Sequence, residues 1–254
     1  MAGYVTVNGV RSWYDVHGEG DPLVLLHGGF SDSRDFEISL QTLAGRFQVF
    51  LLDRRAHGRT PDVEGPVTLD MLADDVSAFI ESVVGGPAHV AGYSSGGVVA
   101  LALALRRPDL VRRLVLMNTG YSKDGWMFLP EPDGEFPDVV VDAYAEVSPD
   151  GRDHFPVMVR KFATMDMDLA LDPSAITSPT LVLGADDDIV HLSHTIGMYQ
   201  AIANAQLAIL PGTSHLLLFE KPEQATAVVE EFLSKDPVRL MPIRHAAQSA
   251  PQPS

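Results

Sequence analysis

Short apolar runs recur along the chain and predict the strands of a sheet. About eight such runs alternate with stretches of helical periodicity, which is typical of an α/β fold with a mostly parallel sheet covered by helices on both faces. The last six runs are predominantly apolar, as central parallel strands are. The runs are Tyr4–Val7, Ser12–Val16, Leu23–Leu26, Gln48–Leu52, Ala88–Ala91, Leu114–Met117, Thr180–Leu183 and Gln206–Leu210.

Turn and cap signals place the ends of several elements. Asn8-Gly9 lies between the first two runs and predicts a hairpin, and therefore an antiparallel edge to the sheet. Thr68 precedes apolar residues at i, i+3, i+4 spacing and predicts the N-cap of an amphipathic helix. Pro222 predicts the first turn of a second amphipathic helix, and the small-apolar stretch from Gly96 to Leu105 predicts a buried one.

One segment interrupts the alternation and divides the chain. Residues 121–178 contain no central-strand pattern and carry 12 acidic against 4 basic residues, together with seven aromatic residues. We therefore predict a helical cap (lid) inserted after the sixth strand, acidic outside and apolar inside. The core then comprises residues 1–120 and 179–235, and residues 236–254 are expected to form a disordered tail.

Composition excludes several function classes. The formal net charge of −16 disfavours nucleic acid and anionic membrane surfaces as partners, so a small-molecule substrate is the expected partner. Because the chain has no cysteine, disulfides, thiolate metal sites and a cysteine nucleophile are excluded. The N-terminal residues lack a secretory signal and no stretch is long enough for a membrane span, so a cytoplasmic location is expected; a monomer and a dimer remain equally open.

The segment His89-Val-Ala-Gly-Tyr-Ser94-Ser-Gly-Gly97 contains the pattern G-x-S-x-G at a predicted strand-to-helix turn. Small residues at 92 and 96 permit a sharp turn that displays the central serine above the sheet. Ser94 is therefore the candidate nucleophile, and it needs a base and an acid. His215 follows the last strand, and Asp186, Asp187 and Asp188 follow the preceding one, so all are placed at the carboxyl edge where catalytic groups collect.

With these motifs in this order, the chain resembles the α/β-hydrolase superfamily, specifically its small lid-bearing serine hydrolases. The resemblance covers about residues 23–232. Besides the serine motif it includes a His-Gly-Gly-Phe segment after the third strand, Asp-Arg-Arg-Ala-His-Gly-Arg-Thr after the fourth, Gly184-x-x-Asp187 and Gly212-x-x-His215. The resemblance implies the α/β-hydrolase fold and a catalytic triad of Ser94, Asp187 and His215, with Asp186 as the nearest alternative acid.

The resemblance also implies where an oxyanion and a substrate would bind. Backbone N–H groups of Gly29 and Ser95 would form the oxyanion hole, with Phe30 as the next possibility. The substrate pocket would be formed by Phe30, Tyr93, Trp126, Met127 and Phe128. A proline found in related iminopeptidases is replaced by Phe30, which argues against peptidase action.

Other polar residues near these motifs are given structural roles. His27 and His57 are expected to brace loops. Arg54, Arg55 and Arg59 could bind an anion, but a solvated turn is the favoured interpretation. The i, i+3 pair His191 and His194 lacks a third ligand in register, so no metal site is expected.

The expected activity is hydrolysis of a neutral, mainly apolar carboxylic ester or lactone through an acyl-enzyme on Ser94, without a cofactor. The acidic, aromatic-rich cap favours such a substrate over multiply charged ones. Three alternatives share the same site: a cofactor-free perhydrolase, a C–C bond hydrolase, and a specialised biosynthetic enzyme or ligand receptor with little turnover.

Overall fold

A computed structural model of the chain describes residues 1–165 and 171–241. It contains an eight-stranded sheet with the strand order β1-β2-β4-β3-β5-β6-β7-β8. The strands are β1 Gly3–Val7, β2 Val10–His17, β3 Asp21–Leu26, β4 Phe47–Leu52, β5 Ala88–Tyr93, β6 Val111–Met117, β7 Thr180–Asp187 and β8 Ala205–Ser214. Strands β3 to β8 pair in parallel, whereas β1 with β2 and β2 with β4 pair antiparallel. The predicted mostly parallel sheet with an antiparallel edge is confirmed.

Eight α-helices connect and cover the strands in the described part of the chain. They are α1 Glu37–Ala44, α2 Leu69–Phe79, α3 Ser95–Arg106, α4 Asp138–Val147, α5 Phe155–Ala163, α6 Leu192–Ala201, α7 Leu217–Glu220 and α8 Pro222–Ser234. The hydroxyl of Thr68 accepts the Met71 N–H and caps α2 as its sequence predicts, and Pro222 opens α8. None of these helices is both long and apolar enough to cross a bilayer.

Alternate side chains of the central strands enter two separate cores. Leu23 and Leu25 of β3 pack among residues of α1 and α8, whereas Val24 and Leu26 pack among residues of α2 and α3. Successive side chains of a strand point to opposite faces, so a strand that is apolar at every position is buried on both sides. Helices therefore cover both faces of the sheet.

The cap follows β6 and contains α4 and α5. Its buried aromatic side chains, including Tyr144 and Phe155, are continuous with the core on the α2–α3 face. Ion pairs also join cap and core: Arg34 contacts Glu146 of α4 at 2.7 Å, and Asp62 contacts Lys161 of α5 at 2.5 Å. Helices thus follow the sixth strand as the sequence predicts, while the division into core and cap and the limits of the cap stay a prediction. Residues 166–170 of the cap and 242–254 of the proposed tail lie outside the described residues.

Candidate active site

Ser94 occupies a sharp turn between β5 and α3. Its backbone has φ +53° and ψ −122°, a left-handed conformation that a non-glycine residue rarely adopts. Its N–H donates to Met117 O at 2.9 Å, and the Thr119 hydroxyl donates to Ser94 O at 2.7 Å. These contacts hold the turn, so the serine side chain stands at the carboxyl edge of the sheet.

The two glycines of the motif are required by close backbone contacts. A Cβ added at Gly92 would lie 2.3 Å from Gly96 O, and one added at Gly96 would lie 2.2 Å from Leu26 O. Both distances are far below van der Waals contact, so a larger residue would push α3 away from β5 and β3. The pattern seen in the sequence thus has a steric cause in the fold.

His215 joins Ser94 to a buried carboxylate. Its Nε2 lies 2.9 Å from Ser94 Oγ, and its Nδ1 lies 2.7 Å from Asp188 Oδ1. A carboxylate accepts a hydrogen bond, so we assign the ring proton to Nδ1, which leaves Nε2 free to accept the serine proton. This is the geometry of a nucleophile, a general base and an orienting acid.

The acid in contact with His215 is Asp188, so the sequence choice of Asp187 is wrong. Asp187 is exposed and still belongs to β7, where it pairs with Ser214 of β8. The register between β7 and β8 shifts between Ala185 and Asp187: Ala185 pairs with Leu210 and Asp187 with Ser214, so β8 has two extra residues just before the strands end. The first residue beyond the strand is Asp188, whose side chain is only 3% exposed.

Asp186, the alternative acid, has a different role: its Oδ1 accepts the N–H of Thr213, near the end of β8, at 3.1 Å. Counting from Gly184 could not separate the three aspartates. The distinguishing feature is an irregularity of strand pairing, which residue spacing does not encode.

Two further side chains hold the backbone of His215. The Tyr93 hydroxyl donates to His215 O at 2.6 Å, and Asn118 Nδ2 donates to the same oxygen at 3.0 Å. Asn118 directly follows β6 and has φ +45°. Sequence reasoning missed it, although a polar residue immediately after an apolar strand was an available signal.

The loop after β3 reaches Ser94 and brings Gly29 next to Ser95. A Cβ added at Gly29 would lie 3.3 Å from Ser95 Oγ, and both residues line the cavity that opens at Ser94. The Gly28 N–H donates to Asp35 Oδ2 at 2.8 Å, and this hydrogen bond anchors the loop. Burial raises the pKa of Asp35 to about 6. Phe30, the next residue of the loop, has a positive φ of +60°.

The cavity at the triad has a volume of about 360 Å³ and lies between core and cap. It is lined by Gly29, Phe30, Ser94, Ser95, Trp126, Phe128, Leu129, Pro130, Phe136, Phe162, Met165, Ile189 and His215. Phe30 and Phe136 meet across the junction with ring centroids 4.7 Å apart. The walls are therefore almost entirely apolar, and the polar groups converge at Ser94.

Three of the five predicted pocket residues line this cavity, and two do not. Tyr93 is buried below it, with its hydroxyl engaged by His215 O, and Met127 points outward with 55% of its surface exposed. Sequence reasoning missed the contributions of Phe136 and Phe162, because the fold of the cap decides which of its aromatic residues face Ser94.

The arginines after β4 do not form a solvated turn. Arg54 and Arg55 are buried, and only Arg59 is partly exposed, so the interpretation of this turn as solvated is wrong for the first two. Arg55 is neutralised by Asp75 through Nε at 2.9 Å and Nη2 at 3.0 Å. Burial lowers the pKa of Arg54 to about 10.

His27 and His57 are fully buried beside this turn. His27 Nε2 accepts the backbone N–H of Arg54 at 3.0 Å, so we assign the proton of the His27 ring to Nδ1, which donates it to Gly28 O at 2.7 Å. Burial, reinforced by Arg54, lowers the pKa of His27 well below its ordinary value and lowers that of His57 to about 3. Both side chains are therefore neutral and hold their loops in place.

In the distant pair of His191 and His194, His194 Nε2 accepts the Tyr121 N–H at 3.1 Å.

A larger cavity of about 840 Å³ lies within the cap, but it contains none of the triad residues. Its two arginines pair with aspartates of the same lining; Arg160 contacts Asp133 at 2.7 Å and Arg152 contacts Asp138 at 3.4 Å. The smaller cavity at Ser94 is therefore the candidate active site.

The sequence model of the alpha/beta hydrolase family matches residues 23–229. The chain belongs to this family. Similar proteins include one from Caulobacter sp. (strain K31) named "Putative carbamate hydrolase RutD", 29% identical over 90% of this chain and 97% of its own. Another is the pyrrolizixenacetamide deacetylase of Xenorhabdus hominickii, 28% identical over 92% of this chain and 98% of its own.

Among solved structures, the enol-lactonase of Burkholderia xenovorans LB400 superposes with a TM-score of 0.77. It is 24% identical and covers 92% of this chain and 100% of its own. At that identity the likeness is one of fold. Together with the family match, these comparisons establish a hydrolase of the α/β-hydrolase family.

Proposed function

We propose that this protein is a serine hydrolase that cleaves a neutral, mainly apolar carboxylic ester or lactone through an acyl-enzyme on Ser94. The observation that carries the proposal is the hydrogen-bonded line from Asp188 through His215 to Ser94 Oγ, ending at an apolar cavity. A serine hydroxyl becomes a competent nucleophile when a base oriented in this way can take its proton.

In the first step, His215 Nε2 accepts the proton of Ser94 Oγ while the oxygen attacks the carbonyl carbon of the substrate. The oxyanion is stabilised by the N–H groups of Gly29 and Ser95, and α3 begins at Ser95, so the positive end of its dipole adds to them. His215 then gives its proton to the departing alcohol. Asp188 stabilises the imidazolium that exists between these transfers.

In the second step, water attacks the acyl-enzyme. His215 Nε2 accepts a proton from the water, the second oxyanion rests on the same N–H groups, and the proton returns to Ser94 Oγ as the acid departs. The two steps together add water across one ester bond. For a lactone, the alcohol and the acid remain in one product molecule.

The chemistry of the cavity supports a neutral substrate. Among the described residues that line it, His215 is the one side chain that can become cationic, and apart from Ser94 and Ser95 the other lining side chains are apolar. A substrate carboxylate buried there would have no permanently cationic side chain on the cavity wall to pair with, which is unfavourable. This argues against C–C bond cleavage of dienoic acids on the same triad. Because two of the relatives are named as a carbamate hydrolase and a deacetylase, carbamates and amides are also substrates worth testing.

The test is burst kinetics with short- and medium-chain p-nitrophenyl esters, combined with the intact mass of the protein. We expect a burst of p-nitrophenol and an acyl adduct on the wild type, and neither on Ser94→Ala. Formation of the acyl adduct on Ser94→Ala at the wild-type rate would contradict the assignment of Ser94. If the folded wild type binds the esters and gains thermal stability without forming product, the receptor alternative is favoured instead.

A further inference from the structure

The guanidinium of Arg54 lies buried directly behind the loop that carries Gly29. Its Nη2 donates to His27 O at 2.7 Å, to Gly28 O at 2.9 Å and to Ser95 Oγ at 2.9 Å. Its Nε and Nη1 are buried without a hydrogen-bond partner among the described residues. A buried cation with unpartnered N–H groups is unfavourable for folding alone, so its presence beside the nucleophile requires a reason.

The contact with Gly28 O acts on the peptide that contains the Gly29 N–H. The described chain has no cis peptide, so the C=O of Gly28 and the N–H of Gly29 point in opposite directions from one plane. His27 Nδ1 and Arg54 Nη2 hold the carbonyl at 2.7 Å and 2.9 Å on the buried side. The Gly29 N–H is thereby directed to the other side, on which Gly29 lines the cavity.

The preceding peptide is held in the same manner. Arg54 Nη2 donates to the carbonyl oxygen of His27, and the N–H of the same peptide, which belongs to Gly28, donates to Asp35 Oδ2. Both peptides of the turn are therefore fixed, and the same nitrogen of Arg54 also holds the hydroxyl of Ser95. One guanidinium nitrogen thus links the Gly28–Gly29 peptide to Ser95, and these supply the two N–H groups of the proposed oxyanion hole.

We propose that Arg54 is a positioning residue of the oxyanion hole, which orients the Gly28–Gly29 peptide and polarises its N–H toward the substrate. The inference rests on the function proposed above. A cation at a carbonyl oxygen withdraws electron density from the peptide, so its N–H becomes a stronger hydrogen-bond donor. Because the site is buried, this field is screened less than it would be in water.

The charge state of the surrounding groups supports this role. The pKa of Arg54, about 10 after its reduction by burial, leaves the side chain cationic at neutral pH. The adjacent His27 and His57 are neutral, because burial and Arg54 itself lower the pKa of each. Asp35 is the nearby carboxylate that offsets the charge of Arg54, and it binds the Gly28 N–H rather than the guanidinium.

The experiment measures how fast a fluorophosphonate labels Ser94, followed by the intact mass of the protein. The phosphoryl oxygen of this probe develops negative charge where the oxyanion would lie, and labelling requires no knowledge of the natural substrate. The variants are Arg54→Met, which removes the charge at similar volume, Arg54→Lys, which keeps it, and the control Arg59→Met from the same turn. Arg59 contacts Asp53 and the Trp13 ring instead of the loop.

We expect Arg54→Met to lower the labelling rate constant about ten- to a hundredfold, less than the loss of a whole oxyanion donor. Arg54→Lys should lie between Arg54→Met and the wild type, and Arg59→Met should stay within about twofold of the wild type. For a hydrolysed ester, Arg54→Met should lower kcat with little change in KM, because the interaction strengthens only in the transition state.

Wild-type labelling by folded Arg54→Met would overturn the inference, as would an equal loss in Arg59→Met. If Arg54→Met does not fold, Arg54→Lys decides: the lysine side chain ends one bond short of the position of Nη2, so its ammonium cannot reach all three acceptors and must label at least about threefold more slowly than the wild type. A wild type that is not labelled on Ser94 at all would instead refute the proposed function.

Discussion

Asp188 Oδ1 lies 2.7 Å from Nδ1 of His215, while the neighbouring Asp187 points into solvent from the end of β7. The two aspartates are adjacent in sequence and identical in chemistry, yet only one of them can orient the base. This relationship makes the pair a matched test of the triad.

Asp188→Asn should lower kcat by about 10³–10⁴-fold, because an amide facing Nδ1 favours the wrong ring tautomer. Asp187→Asn should remain within about threefold of the wild type, since its side chain is exposed. Steady-state kinetics on one p-nitrophenyl ester measures both. Equal losses in the two variants, or a larger loss in Asp187→Asn, would refute the assignment of Asp188.

Gly96→Ala should destabilise the fold, because the added Cβ would lie 2.2 Å from Leu26 O and the backbone of α3 would have to move. Overpacking of this kind costs about 1–3 kcal/mol or more, which lowers the Tm of a chain of this size by roughly 2 °C or more for each kcal/mol. The control is Gly86→Ala, where a Cβ meets nothing within 4 Å. Thermal unfolding should show a clear loss for the first variant and almost none for the second; similar Tm values would contradict the close contact.

Phe128→Ala should weaken the binding of medium-chain esters, because the ring lines the cavity although 64% of the residue is exposed. We expect KM for a hexanoate or octanoate ester to rise about threefold to tenfold, as loss of roughly 1 kcal/mol of apolar contact implies. The acetate ester should be little affected. Met127→Ala, at a neighbouring exposed residue outside the cavity, serves as the control, and an equal rise in its KM would show that the cavity does not bind the acyl chain.

His57 makes the fold sensitive to acid. Its pKa is about 3 in the folded chain, lowered by burial, against 6.5 when unfolded, so between these values the unfolded chain binds more protons. The free energy of unfolding therefore falls as the pH falls through this window, by up to about 1.4 kcal/mol per pH unit for this histidine. Asp35, whose pKa burial raises to about 6, changes the free energy of unfolding in the opposite direction. Because Asp35 is present in the wild type and in a His57 variant alike, its contribution is common to both.

His57→Gln, which keeps a donor for Arg55 O, isolates that contribution. Urea unfolding at pH 7, 6, 5 and 4 should show that the stability of the variant improves relative to the wild type at each step below about pH 6. A constant difference over the whole range would mean that His57 titrates normally in the folded chain.

The sequence was sufficient for the strands, the hairpin edge and the strand-to-helix turn that carries the candidate nucleophile. Each of these depends on local physics: apolar runs buried on both faces, a two-residue turn signal, and glycines that permit a tight elbow at Ser94. The base was also accessible, because parallel strands bring their carboxyl ends to one edge and His215 follows the last of them.

The tertiary structure decided the rest. The choice of Asp188 depends on a register shift between β7 and β8, and the burial of Arg54 depends on how the β3 and β4 loops pack together. Which cap residues face Ser94, Phe128 rather than Met127, depends on how the cap packs against the core. These are relations between segments distant in sequence, and residue spacing contains no information about the alignment of one segment against another.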